Sequence, residues 1–201
     1  MIRRTLLAIL ALVLASSLSF AGGALSIGAA IPMGDVKMKS VDGKELALAD
    51  IKKPAGTLVV FTCNHCPFAK MWETRIVELG NAYAAKGIGV VAVNANDPAV
   101  AADDSYEKMQ VRAKERGMQF PYVVDATSDV ARAFGATRTP EVFLFDAEGK
   151  LVYHGAVDDN GQEPEKVANP YLKNALDAVV SGKEVPVKET KSIGCGIKFR
   201  S

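Results

Sequence analysis

Cysteine is scarce in this sequence, with three residues in 201. Three are too few to build a disulfide scaffold, and an odd number leaves one thiol needing its own account. Histidine is scarcer still, at two. A structural zinc site wants four ligands, and the single Cys-x-x-Cys is joined by no second such pair and no His-x-x-x-His. Neither sign of charge dominates: 24 Lys and Arg stand against 23 Asp and Glu, and no basic cluster stands out. That balance argues against nucleic acid as a partner. The chain has no internal repeat, no low-complexity stretch and no second-domain linker. Its most apolar run, Leu6 to Leu14, is short for a membrane span of ~20 residues.

What remains is the profile of one globular domain, 49% hydrophobic and 23% charged, with enough length for a full core. Arg3 and Arg4 precede the apolar run, and Ser19-Phe20-Ala21 supplies the small-x-small pattern of a signal peptide cleaved after Ala21. An uncleaved anchor is the alternative, and the only membrane contact expected. Loss of Arg3 and Arg4 leaves 22 basic and 23 acidic residues. The expected divisions are a leader over 1–21, a domain over 22–181 and a tail over 182–201 that carries Cys195. Export to the periplasm or beyond would place the thiols in an oxidising compartment, where paired cysteines tend to join.

Periodicity supplies the elements. Val36 to Val41 and Glu45 to Ile51 flank Asp42-Gly43 as a β-hairpin. Thr57 to Thr62 and Ile88 to Val93 are continuous apolar runs, as in strands buried on both faces. Between them Phe68, Trp72, Ile76, Leu79 and Tyr83 recur at helical spacing, and Gly87 closes that helix. Asp104 with Glu107 predicts a capping box opening a polar helix that ends before Gly117. Phe120 to Val124 reads as a strand and Ser128 to Phe134 as a short helix. Glu141 to Phe145 and Leu151 to His154 form a second hairpin, and Pro170 to Val180 a last helix. Strands alternating with helices imply an α/β fold with a mixed central sheet covered on both faces. In such sheets the working site lies beyond the carboxyl ends of the central strands. Cys63 sits at one of those ends.

The stretch FTCNHCPFAKMW, residues 61–72, holds two of the three cysteines. The spacing Cys63-Asn64-His65-Cys66 puts one thiol on the first turn of a helix and the other just before it. Free N–H groups there stabilise a thiolate, the nucleophilic form. Cys63 is then expected to be the exposed attacking sulfur, Cys66 the resolving one, and His65 a nearby positive charge when protonated. Pro67 suits the first helical turn. Half a zinc site and a Cu(I)-binding or delivery module, since thiolates suit Cu(I), remain as alternatives. A purely structural disulfide gains little from closing a two-residue loop.

FTCNHCPF after a buried strand, with TPEVFLFD downstream, resembles the thioredoxin-like superfamily. Within it the chain is similar to exported redoxins related to alkyl hydroperoxide reductase and thiol-specific antioxidant proteins, over about Gly34 to Val180. The resemblance implies a three-layer thioredoxin-like fold with an N-terminal β-hairpin. The helix around Asp104 to Arg116, between the second and third core strands, is the redoxin addition. It also implies a nucleophilic Cys63, a resolving Cys66, and a cis peptide at Pro140 that leaves the backbone beside Thr139 free to bind a substrate's extended chain. The implied activity is thiol–disulfide exchange with protein dithiols and disulfides, using a partner dithiol protein and no organic cofactor or metal. The peroxidase variant wants Thr or Ser three residues before its cysteine, where this chain has Val60 and Cys63. The tail SIGCGIKFR resembles that of one peroxiredoxin-like subgroup. Ile193, Ile197 and Phe199 alternate as a docking strand would, and Gly194 and Gly196 allow a close approach. Cys195 is therefore a candidate third redox thiol. Trp72 is expected in the core and His154 on the surface or hydrogen-bonded. Glu141 is expected as an exposed strand carboxylate, and Lys70 and Arg75 on a solvated face.

Overall fold

The computed structural model describes residues 23–201; the expected leader lies outside the described residues. The chain opens with the hairpin of β1 (Met38–Ser40) and β2 (Glu45–Leu46), Met38 facing Leu46. Gly43 sits at φ +87°, the left-handed region that its turn requires. The second strand stops at Leu46 instead of running to Ile51. Asp50 reaches back to accept the Ala47 N–H at 2.9 Å, which closes a short helix, α1 (Leu48–Ile51). Leu48 and Ile51, three apart, then share the buried side of that turn.

The remaining elements follow in order: β3 (Gly56–Phe61), α2 (Pro67–Ala84), β4 (Ile88–Asn94), α3 (Tyr106–Glu115), β5 (Tyr122–Val124) and α4 (Asp129–Phe134). Then come β6 (Arg138–Thr139), β7 (Glu141–Phe145), β8 (Leu151–Gly155), α5 (Tyr171–Val180) and β9 (Cys195–Gly196). A seven-stranded sheet has the order β2-β1-β5-β4-β3-β7-β8. Strands β5, β4 and β3 run parallel, while β7 and β8 on one side and β1 and β2 on the other are antiparallel. This is the mixed sheet that the alternation of strands and helices predicts.

Strand side chains alternate between two cores. Leu58 and Val60 of β3, Val90 and Ala92 of β4, and Val142 and Leu144 of β7 pack with Trp72 and Ile76 of α2 and Leu172 and Leu176 of α5. Val59, Phe61, Val91, Val93, Phe143 and Phe145 take the other face. There Phe61, Phe134 and Phe143 meet edge-to-face at 5.2–5.7 Å. Full burial of such a side chain is worth roughly 1.5–3 kcal/mol. The central strands therefore hold the site at their carboxyl ends on a rigid base.

Four local expectations need correction. Phe68 is exposed, because Ala69 fills the inward position of the first α2 turn against Cys63 and Cys66. The cap of α3 is Ser105, whose hydroxyl accepts the Lys108 N–H, not Asp104. Arg75 is not solvated: it pairs with the buried Asp158 and donates to the carbonyls of Asn160 and Gly161. Glu141 is buried rather than exposed, for a reason given below. Trp72 is in the core as expected, and its indole N–H donates to Asp158 at 2.7 Å. Among the described residues no helix is long and apolar enough to cross a membrane.

Candidate active site

Strand β3 ends at Phe61, and the chain turns through Cys63-Asn64-His65 into α2. Cys66 is the N-cap of that helix, and its sulfur accepts the Ala69 N–H at 3.5 Å. Pro67 at the first position lacks an N–H, so no donor there is wasted. The Cys66 N–H in turn points at Cys63 Sγ, 3.4 Å away.

Two segments far along the chain close over the pair. The first is the Thr139-Pro140 turn, which holds the cis peptide bond expected there. The Thr139 hydroxyl lies 3.2 Å from Cys63 Sγ, and the Thr139 carbonyl oxygen lies 3.2 Å from Cys66 Sγ. The second is the tail. Strand β9 pairs antiparallel with β6, Thr139 opposite Cys195 and Arg138 opposite Gly196. The Cys195 N–H comes within 3.4 Å of Cys66 Sγ. Cys63, Cys66 and Cys195 thus form one sulfur cluster with Ala69.

That cover changes the expectation for Cys63. It is 4% exposed and Cys66 0%, so Cys63 is not an open sulfur while the tail is seated. The edge beside Thr139, expected to be free for a substrate chain, is occupied by the protein's own residues 195 and 196. His65 is exposed, and among the described residues its ring makes no hydrogen bond to either sulfur. What ties His65 into the site is its backbone N–H, which Asp104 accepts at 3.2 Å.

Asp104 is the site residue that sequence reasoning missed. It is 2% exposed and lies beneath the turn between the cysteines. One oxygen accepts the Asn64 N–H at 2.6 Å, the His65 N–H and the Asn94 amide; the other accepts the Asn96 amide at 2.8 Å. Tyr122 donates its hydroxyl to the Asn64 side chain at 3.2 Å. Asp104 ends the short 3-10 turn that leads into α3, and Arg112 of α3 binds both oxygens of Glu73 on α2 at 2.7 Å.

A second missed group, Glu141, braces the proline turn from behind. One oxygen accepts the N–H groups of Thr137 and Arg138 at 2.8 and 2.9 Å, and the other bonds His154 Nε2 at 2.7 Å. His154 stacks on Phe143 with ring centroids 4.4 Å apart. The expectation of an exposed carboxylate at Glu141 yields to this bracing position.

The two thiols divide the charge unequally. The hydrogen bond from the Cys63 thiol, then the Cys195 thiol and the N–H groups of Ala69 and Cys195, bring Cys66 down to about 4 against the cost of burial. Cys63 moves up, through its hydrogen bond to Cys66, burial and the nearby Asp104 charge. One proton shared by the reduced pair thus favours Cys63 and leaves Cys66 the better anion. Such a shared proton is the chemistry a dithiol needs to open and reseal a disulfide.

A buried strand ending in Cys-x-x-Cys, a helix capped by the second sulfur and a cis proline facing both define a thioredoxin-like oxidoreductase. Residues 27–154 match the model of the AhpC/TSA family. The chain belongs to that family. A crystal structure of a conserved protein from Geobacillus kaustophilus shares 40% identity, covers 87% of this chain and 93% of its own, and superposes with a TM-score of 0.81. One from Sinorhizobium meliloti 1021 shares 34% identity over 89% of this chain and 97% of its own, at a TM-score of 0.82. The thiol-disulfide oxidoreductase ResA of Geobacillus thermodenitrificans is 28% identical over 128 residues, 64% of this chain and 68% of that protein.

Proposed function

We propose that this protein is an exported thiol–disulfide oxidoreductase that exchanges disulfides with other proteins through Cys63 and Cys66. The observation that carries the reading is the placement of the two sulfurs, with the Cys66 N–H 3.4 Å from Cys63 Sγ where α2 begins and Thr139 approaches. In the reducing direction the Cys66 thiolate takes the Cys63 proton and Cys63 attacks a substrate disulfide. The mixed disulfide forms as one substrate sulfur leaves with that proton. Cys66, again a thiolate, then attacks Cys63 Sγ, releases the second substrate sulfur and closes the Cys63–Cys66 bond. A partner dithiol protein reverses these steps. Thr139 and Pro140 form the edge on which the substrate chain lies, so Cys195 must leave Thr139 for the substrate to enter. Asp104 keeps the Asn64-His65 turn in place, and His65 acts through its backbone only.

Export rests on the leader read in residues 1–21; N-terminal sequencing of the mature protein should begin at residue 22. Membership of the AhpC/TSA family favours a second reading, a thiol peroxidase, against which stands Val60 in place of the expected Thr or Ser. Turnover of a protein disulfide and consumption of hydrogen peroxide, assayed side by side, separate the two. Disulfide turnover that vanishes in Cys63→Ser and Cys66→Ser supports exchange. Peroxide turnover with no disulfide turnover replaces it with the peroxidase.

A further inference from the structure

We propose that Cys195 is a third exchange thiol of this site, which draws the disulfide from Cys63–Cys66 onto a Cys66–Cys195 bond. The inference rests on the exchange reading above and adds to it a second exit for the oxidising equivalent.

The tail is seated by fixed points on both sides of Cys195. Before it, the Thr190 N–H donates to the His154 carbonyl and the His154 N–H to the Lys188 carbonyl, both at 2.9 Å. Arg138 donates to the Gly194 carbonyl at 3.0 Å. After it, the Ile197 N–H reaches the Thr137 carbonyl at 2.9 Å, and Ile197 itself is buried. The Lys198 N–H donates to Asn96 at 2.8 Å, and the Asp97 N–H to the Lys198 carbonyl at 2.7 Å. Gly194 allows the close approach: a Cβ there would lie 2.2 Å from the Thr139 carbonyl oxygen. A loose end carrying a spare thiol would need none of these contacts.

Position then separates the three sulfurs. Cys66 lies between the others, its N–H 3.4 Å from Cys63 Sγ and its sulfur 3.4 Å from the Cys195 N–H; Cys63 and Cys66 are buried and Cys195 is partly exposed. The Cys195 thiolate attacks Cys66 Sγ of the Cys63–Cys66 disulfide. The Cys66–Cys195 bond forms as the Cys63–Cys66 bond breaks, and Cys63 leaves as a thiolate that takes up the proton Cys195 gave to solvent. One disulfide is lost and one gained, so no further oxidant is required. The disulfide now ends at a sulfur that a partner dithiol reaches with the tail in place, while the first substrate needs the tail displaced. Two partners of one site would thus use two entrances.

The test oxidises the folded full chain with glutathione disulfide and maps the linked peptides by mass spectrometry. In Cys63→Ser the expected product is an internal Cys66–Cys195 bond in a monomer. Adding Gly194→Ala to that variant, with all remaining thiols kept, should lower its yield about tenfold or more, because bridging demands close, aligned Cβ positions. If Cys66 of Cys63→Ser ends only as free thiol or glutathione adduct, the inference is overturned. Wild type trapped at low pH gives a reading that needs no variant. A detectable Cys66–Cys195 fraction beside Cys63–Cys66 supports the third thiol, and Cys63–Cys66 alone counts against it. Wild type that forms no Cys63–Cys66 bond overturns the exchange reading itself.

Discussion

Asp104 accepts the Asn64 backbone N–H at 2.6 Å, across 40 positions of sequence. Through that bond the turn between the cysteines is shaped by a carboxylate that also binds Asn94 at the end of β4. The same carboxylate places negative charge near Cys63 and helps keep its proton on.

Asp104→Asn should therefore do two things. It turns one acceptor into a donor against buried N–H groups, which should lower stability by about 1–3 kcal/mol. It also removes the negative field at Cys63, so the Cys63 thiol should ionise more readily. Urea unfolding reads the first effect, and alkylation rates mapped to Cys63 near neutral pH read the second. A Cys63 rate unchanged from wild type would show that Asp104 acts on the turn alone.

The Cys66 thiol, lowered from 9.0 to about 4, makes the reduced protein's stability depend on pH. A depressed folded value contributes in full above the unfolded thiol value of ~8.5 and fades as pH falls through the folded one. Cys63, shifted upward, contributes below its unfolded value and loses that contribution only as pH rises past it. Below that alkaline region Cys66 governs the trend. The stability gap between reduced wild type and reduced Cys66→Ala should narrow from about pH 8 to about pH 5. Ultraviolet thiolate absorbance, titrated in parallel, should persist into mildly acidic solution and be missing in the variant.

Glu141→Ala should loosen the proline turn without touching a sulfur. It leaves the partly buried Thr137 and Arg138 N–H groups and His154 without their acceptor, at a total cost of about 1–3 kcal/mol. Because the Ile197 N–H is held by the Thr137 carbonyl, the tail should loosen with it. Hydrogen exchange at Ile197, faster in the variant than in wild type while β4 amides stay protected, is the expected signature.

His65→Ala and His65→Pro should differ. Alanine keeps the backbone N–H that Asp104 accepts, and the exchange equilibrium with glutathione should stay within about threefold of wild type. Proline removes that N–H and should shift the equilibrium further. Equal, large shifts in both variants would restore a role for the imidazole.

Much of this arrangement is legible in the sequence, where one physical signal dominates. Continuous apolar runs give β3 and β4 because those strands are buried on both faces. The Cys-x-x-Cys between a strand and an amphipathic stripe gives the start of α2. The site residues that escaped are those whose local pattern has two meanings. Asp104-x-x-Glu107 fits a capping box, but Ser105 next door makes the cap and frees Asp104 for partners forty residues away. Glu141 opens an apolar strand and looks like its wet end, until Thr137, Arg138 and His154 supply the partners that let it be buried. Phe68 matches the helical period, yet Ala69 occupies the inward place beside the sulfurs.

The tail's position has a consequence for the order of events during synthesis. Cys195 follows Cys66 by 129 residues, and at ~5–20 residues per second a nascent chain needs about 6–26 s to make that stretch. Throughout that interval α2 and its two cysteines exist without the strand that later lies against them. The newborn protein passes through a period in which its sulfurs meet whatever surrounds the emerging chain. That window shuts once β9 has been made and pairs with β6.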